Sequence, residues 1–411
     1  LQRVAARRGI TGYEVDAKYD ATANTVSGDM VANFTPDKDT DRVVMRLWPN
    51  GPDSASHGGK IQLSAASVDA VPHELQLANA TTAFTEAPLK ADKKIRFRVH
   101  FTITLPRGTD DRLSRIGDTV RLGSWLPLLP WEPEVGWALD PPTSAFAEAS
   151  LSVHANFDVR LSVPEGLQVA ASGTDVGGYH FRLDGAPDWA AVIGKFTGVH
   201  GSSSEFPITV SIEQSMSDAP APYLARVEAS LRELAKRYGA YPWPAFNLVL
   251  TPGMHGGIEY PGLVMQGPNT NARTTPHEVA HQWFYGLVGN DQGRDPWLDE
   301  GLATWAEGQI NGSYSEFRSR SIPGDARNHL GEPMTFWDAH EGSYYRGVYV
   351  QGLQALAALG VSPAAVDCAL ARYVAANAHR VATPKALADA LATVAPDAAS
   401  VLARYGAQRV S

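Results

Sequence analysis

The sequence predicts a multidomain α+β chain of two unlike parts: an N-terminal antiparallel β-sandwich-like domain over residues 1–205 and a mainly helical domain over residues 206–411. Three observations predict it. The first half alternates apolar and polar residues, most cleanly in Lys94-Ile95-Arg96-Phe97-Arg98-Val99-His100-Phe101-Thr102-Ile103-Thr104-Leu105, which is the pattern of a strand with one buried face. From residue 222 to residue 238 the spacing changes to three and four, through Leu224, Val227, Leu231, Leu234 and Ala235, as on one face of a helix. Between the two, Gly198, Gly201 and the run Ser202-Ser203-Ser204 mark a change of character.

Taken in order, further strand patterns occupy residues 25–34, 41–48, 60–68, 148–163 and 178–183, separated by turn signals such as Asn50-Gly51-Pro52 and Gly58-Gly59. Many short strands without intervening helices predict a sandwich-like sheet domain. Residues 121–137 break the alternation with Trp125, Pro127, Pro130, Trp131, Pro133 and Trp137, read as a rigid aromatic plug between sheets or, alternatively, as the wall of a cleft. In the second half, strands at 208–213 and 246–250 lead to His255-Gly256-Gly257-Ile258-Glu259-Tyr260-Pro261. There Gly256 and Gly257 make a turn or leave room for an extended chain to lie alongside the backbone. Thr275 as N-cap and Pro276 at the first position open the next helix, which Gly286 or Gly289 stops. Asp295 and Pro296 open another, with Trp297, Leu298, Leu302 and Trp305 on its apolar face. Ser362-Pro363 and Thr383-Pro384 start the last helices, with Leu387, Leu391 and Leu402 as core positions.

Composition narrows the function classes. Over 411 residues, 44% are apolar and 19% charged, the balance of a globular chain with a sizeable core. A net charge of −9 with no basic run beyond Arg7-Arg8 and Lys93-Lys94 gives no footprint for nucleic acid or an anionic membrane. No apolar run is long enough for a transmembrane segment, and a start at Leu1 rather than Met reads as a mature or trimmed form. With Cys368 as its single cysteine, the chain can form no intramolecular disulfide and no cysteine-based metal site.

The chemistry is concentrated in Thr275-Pro276-His277-Glu278-Val279-Ala280-His281. Two histidines four apart on a helix lie one turn above each other, so both imidazoles can reach one ion. Glu278 is rotated about 100° from His277 and can address a water on that ion as general base. Thr275-x-x-Glu278 also fits a capping box, in which Glu278 would bend back to the helix start; the water's need for a base assigns it to catalysis. A catalytic zinc takes three protein ligands and keeps one position open. With eighteen residues between it and His281, Glu300 in Trp297-Leu298-Asp299-Glu300-Gly301 supplies the third, giving one Zn²⁺ per chain. His100, His154, His329, His340 and His379 have no ligand spacing and read as surface or packing residues.

This set of residues resembles the gluzincin aminopeptidases of peptidase family M1, the family of aminopeptidase N and leukotriene hydrolase. The resemblance implies a thermolysin-like zinc peptidase domain over residues 206–411. It covers that domain strongly and the sheet domain only by general character. His255 to Pro261 is similar to the family's Gly-x-Met-Glu-Asn motif, which implies that Glu259 binds the free α-amine of a substrate, with Ile258 in place of Met and Tyr260 in place of Asn. Tyr344-Tyr345-Arg346-Gly347 is similar to Tyr-x-Lys-Gly, which implies that Tyr344 donates to the oxyanion, with Tyr345 as rival. Glu307, seven residues beyond Glu300, implies a hydrogen bond to a ligating histidine; Asp299 and Thr304 are weaker candidates. In large family members the region of Glu132 and Glu134 helps to hold the amine. Their long C-terminal helical domain has no counterpart in these residues, which implies a more open cleft.

The implied activity is a zinc aminopeptidase acting on peptides with a free N-terminus. A zinc endopeptidase, a small-molecule hydrolase on the same fold and an inactive peptidase-like scaffold are the alternatives. An Asn-, Thr- and Ser-rich first half, together with the export of compact bacterial relatives, points to a secreted or cell-envelope protein of a bacterium, with the cytoplasm as the alternative. The sequence sets neither the oligomeric state nor the preferred terminal residue.

Overall fold

The structure is a computed structural model and describes residues 3–407 apart from 8, 145–150, 152, 202 and 204. Period-two alternation in the first half folds into an eight-stranded sheet. Its six long strands are β1 (Gly12–Asp20), β2 (Thr25–Phe34), β3 (Lys60–Val68), β4 (Ile95–Thr104), β5 (Ala155–Ser162) and β6 (His180–Ala186). The order across the sheet is β6-β5-β1-β2-β4-β3, with two-residue strands at either edge. β4 follows its sequence pattern: Ile95, Phe97, Val99, Phe101 and Ile103 are buried while Arg96 and Arg98 face solvent. Strand β2 pairs antiparallel with both neighbours, placing Asn33 opposite Gly12 and Thr25 opposite Thr104.

One pair in this sheet departs from the expected antiparallel pattern. β1 and β5 run parallel, with Gly12 opposite Asn156, which requires a long crossover. The intervening chain supplies it and builds a three-stranded sheet (Thr40–Arg46, Thr82–Leu89, Gln76–Asn79); a four-stranded sheet joins two strands of that chain (Leu113–Ile116, Thr119–Leu122) to two from beyond β5 (Gln168–Ala171, Ala191–Gly194). The strand expected at 148–163 is seen from Ala155; residues 148–150 and 152 lie outside the described ones.

Residues 121–137 are an aromatic plug. Trp125 is fully buried, edge-on to Phe101 at 5.8 Å and tilted against Trp189 at 6.0 Å. Trp131 and Trp137 close on each other at 4.8 Å and on Phe34 of β2 at 5.6 and 5.5 Å. Such edge-to-face contacts add to the apolar area each ring buries.

The second half is built on a five-stranded sheet of β7 (Phe196–His200), β8 (Ile208–Glu213), β9 (Phe246–Leu250), β10 (Gly257–Tyr260) and β11 (Leu263–Gln266), in the order β7-β8-β9-β11-β10. β8, β9 and β11 are parallel neighbours, and the crossover from β8 to β9 is helix α1 (Pro220–Tyr238), which buries Val227, Leu231 and Leu234. β10 turns back antiparallel on β11 and forms an edge. Helices follow: α2 (Thr274–Ala280), α3 (Trp297–Asn311), α4 (Glu341–Tyr345) and, after a wide turn at Arg346–Val350, α5 (Gln351–Ala357). α3 and α5 cross at paired glycines, where a Cβ on Gly352 would lie 2.6 Å from the Gly301 Cα. Ser362 and Thr383 cap their helices as expected, each side chain accepting a backbone N–H three residues on. Among the described residues no helix is long and apolar enough to cross a membrane.

Candidate active site

Helix α2 differs at both ends from the expectation. Thr275 is not the N-cap: it lies inside the helix, buried, and its Oγ1 donates to Gln266 Oε1 at 3.0 Å. Asn271 takes over the start, its carbonyl accepting Thr274 N–H at 2.9 Å and its Oδ1 accepting Arg273 N–H at 3.0 Å. Glu278 is therefore not drawn into a capping box. The stop is not at Gly286 or Gly289 either, because the helix ends at Ala280 with His281 as its last αR residue. Beyond it, Gly286, Leu287 and Val288 donate five residues back, to His281, Gln282 and Trp283, so the backbone widens instead of continuing the α ladder. Helix α3 starts one residue later than expected, with Pro296 just outside it.

This geometry, with α3 packed against α2, brings three donor atoms together. His277 Nε2 lies 3.1 Å from His281 Nε2 and 3.1 Å from Glu300 Oε2, and His281 Nε2 lies 3.3 Å from the same oxygen. A tetrahedral zinc site with bonds of about 2.0–2.1 Å has edges of roughly 3.3–3.4 Å, so the three atoms form a nearly complete face of one. The outer nitrogens face carboxylates: His277 Nδ1 is 3.2 Å from Glu307 Oε2, and His281 Nδ1 is 2.6 Å from Asp299 Oδ1. Gln292 Nε2 donates to the other oxygen of Asp299 at 2.8 Å, and Asn311 Nδ2 to Glu307 Oε1 at 3.3 Å. Both imidazoles are thus held with Nε2 inward. Asp299 acts on His281 as Glu307 acts on His277. Its sequence signal is slight, a carboxylate one helical step from Glu300.

The electrostatics fit a cation. Burial opposes charge on His277 and His281, but Glu300 and Glu307 beside the first, and Glu259, Asp299 and Glu300 beside the second, raise both above the ordinary imidazole range. Burial likewise opposes charge on Glu300, and the two histidines hold it below the carboxylate range. A divalent ion bound among these carboxylates would supply the positive charge that the cluster favours.

Glu278 is buried, its Oε2 has no hydrogen-bond partner among the described residues, and burial pushes its carboxyl upward. The space left by Gly257 is filled by it, since a Cβ there would lie 2.6 Å from the Glu278 carboxyl carbon, whereas beside Gly256 there is open space. Glu259 on the edge strand β10 brings an oxygen close to His281 and Asp299, all three ligand atoms lying within 4.8 Å of one another. Tyr260 is buried, and its hydroxyl is 3.1 Å from Ser124 Oγ in the sheet domain. Gly123 makes room for it: a Cβ there would be 2.3 Å from the phenol oxygen. Of the paired tyrosines, Tyr344 is buried with its hydroxyl unpartnered among the described residues, and Tyr345 is 44% exposed. Glu132 is engaged 3.3 Å from Arg294, and Glu134 sits in a turn with φ +67°.

Sequence reasoning missed two features. Tyr349 stacks on His277 with ring centroids 5.6 Å apart and planes 14° apart. The sheet domain also reaches the start of β10: Asp110 accepts His255 N–H at 2.8 Å and pairs with its Nδ1 at 2.7 Å, while Arg121, fully buried, donates to Pro252 O at 2.7 Å and to Thr109 O at 2.6 Å. No local pattern marks these long-range contacts.

Comparison with known proteins agrees with this geometry. The family profile of the peptidase family M1 domain matches residues 227–405. Leukotriene A-4 hydrolase of Xenopus laevis is 29% identical over 120 residues, 27% of this chain and 20% of that protein. Human aminopeptidase B is 31% identical over 97 residues, 22% of this chain and 15% of that protein. The chain thus spans a fifth or less of the length of these curated relatives. An M1 zinc metallopeptidase from Deinococcus radiodurans has the same fold over nearly the whole chain, with a TM-score of 0.71 at 20% identity, covering 99% of this chain and 96% of that one. A mutant of that protein bound to a Tyr-Ser-Ala substrate superposes with a TM-score of 0.70, again at 20% identity and with the same coverage. The two histidines and the carboxylate on α3 fall inside the segment that the peptidase family M1 domain profile matches, residues 227–405.

Proposed function

We propose that the protein is a zinc-dependent aminopeptidase that removes N-terminal residues from peptides. The observation that carries this reading is the triangle of His277 Nε2, His281 Nε2 and Glu300 Oε2, with edges of 3.1–3.3 Å. Beside it lie two buried oxygens unpartnered among the described residues, those of Glu278 and Tyr344. These three ligands would hold the zinc, whose Lewis acidity lowers the pKa of water towards about 7 and polarises a carbonyl. Glu278 takes the proton of the attacking water and returns it to the leaving amine; its raised affinity for protons suits both steps. Tyr344, held neutral by burial and by the negative charge of Glu300, Asp299 and Glu259, donates its O–H to the developing oxyanion. Glu259, at the sheet edge beside His281, pairs with the α-ammonium, so that only the first peptide bond is presented.

The test is a mass-spectrometric time course on one mixed-sequence peptide, supplied with a free and with an acetylated N-terminus. Stepwise loss of single residues from the free form alone is expected. Internal cleavage of both forms would replace the reading with an endopeptidase, and cleavage of neither would move it to a small-molecule hydrolase or an inactive scaffold.

A further inference from the structure

The segment Arg346–Val350 is a wide turn in which Gln351 N–H bonds back to Arg346 O, five residues earlier. Residues five apart on a regular α-helix point about 140° away from each other. The wider turn brings them back towards one face, and Tyr344 and Tyr349 meet edge-on with centroids 5.6 Å apart. Tyr349 thereby reaches the ligand cluster. Its ring lies nearly parallel over His277, and burial, with the Glu300 carboxylate beside it, raises its hydroxyl well above the ordinary phenol range.

We propose that Tyr349 is a positioning residue of the metal centre, its ring fixing the plane of His277 and its hydroxyl fixing the Glu300 carboxylate. The proposal rests on the zinc reading of the site. It completes a pattern, because Glu307 already orients His277 and Asp299 orients His281, and Tyr349 gives Glu300 the outer partner that each histidine has. Outer partners of this kind set metal affinity by keeping ligands in their binding geometry before the ion arrives. Tyr345, exposed, also contacts the ring, tilted against Tyr349 at 5.0 Å.

The experiment uses the full chain stripped of metal and titrated with zinc against a fluorescent chelator, for wild type, Y349F and Y349L. Visible spectra of the cobalt(II)-loaded proteins are recorded in parallel. Y349F keeps the ring and loses the O–H; its zinc dissociation constant is expected to rise about tenfold, with a shifted cobalt spectrum and unchanged melting of the apoprotein. Y349L also loses the stack and is expected to bind zinc more weakly still. If Y349L does not fold, Y349F alone decides. Zinc affinity within about twofold of wild type together with an unchanged cobalt spectrum would overturn the proposal and leave the zinc reading standing. Failure of the wild type itself to bind zinc would overturn both.

Discussion

The site divides residues that hold an ion from residues that act beside it, and substitutions separate the two. Glu278→Gln keeps the three ligand atoms and removes the base; turnover is expected to fall by about 10²–10⁴-fold while zinc content by elemental analysis stays at the wild-type level. An E278Q protein with near-normal turnover would remove Glu278 from the mechanism. Glu307→Gln should do the reverse, weakening zinc binding by about 10–100-fold in chelator competition, because His277 Nδ1 loses the carboxylate 3.2 Å away. The meeting of His277, His281 and Glu300 at one point, with Glu278 beside them, was legible because a helix of fixed pitch turns the spacing of His277, Glu278 and His281 into geometry. Tyr349 was not legible, since its place depends on a local widening of the helix that no residue spacing announces.

At the level of elements, two contacts position the site. The crossing of α3 and α5 needs both glycines, and Gly352→Ala would press a methyl onto Gly301, next to Glu300. Overpacking of this kind is expected to cost about 1–3 kcal/mol, read as a lower thermal midpoint together with weaker zinc binding; unchanged stability would mean that the helices part freely. The clamp of Asp110 on His255 is exposed, with side chains 51% and 87% accessible, so Asp110→Ala should leave stability almost unchanged. Its loss loosens the start of β10, and KM is expected to rise with kcat little altered. An unchanged KM would make the clamp incidental. The strands at 25–34, 60–68 and 95–104 were legible from alternation, and the late helices from Ser362 and Thr383; Gly12–Asp20 alternates too, yet was not among the strands read from the sequence. The ends of α2 were not, because Asn271, two residues before Arg273, accepts the first amides in place of Thr275, and because i→i+5 bonds end the helix before any glycine.

Over the whole molecule the two halves meet through polar groups as well as apolar ones. Arg294, just before α3, forms a two-pronged pair with Asp140 at 3.1 Å and approaches Glu132 at 3.3 Å. Asp188, buried in the sheet domain, accepts from Trp189 N–H and from Ser124, whose oxygen also meets Tyr260. Burial raises the Asp188 carboxyl to about 7, with its hydrogen bonds and Arg112 pulling it down. In the unfolded chain the same group ionises near about 4. Between those values the native state binds the proton more tightly, so this group's contribution to stability falls as pH rises from about 4 to about 7 and is flat above. Asp188→Asn removes that slope: melting midpoints of wild type and D188N should converge or cross between pH 5 and pH 7, and parallel pH profiles would count against it. The two-part architecture was legible from the change of period. The joints between the parts were not, because each joins residues far apart in the chain.

The parallel pairing of β1 with β5 also bears on the order in which the chain acquires its shape. Gly12 cannot find Asn156 until the residues between have been made, and the backbone of Gly185 waits longer still for the His379 ring, 2.7 Å from its carbonyl. A polypeptide leaving the ribosome therefore carries an unclosed sheet until the strand ending at Ala186 has been made. Such distant pairings are slow to form, which makes the nascent chain a candidate for chaperone capture well before the metal ligands exist.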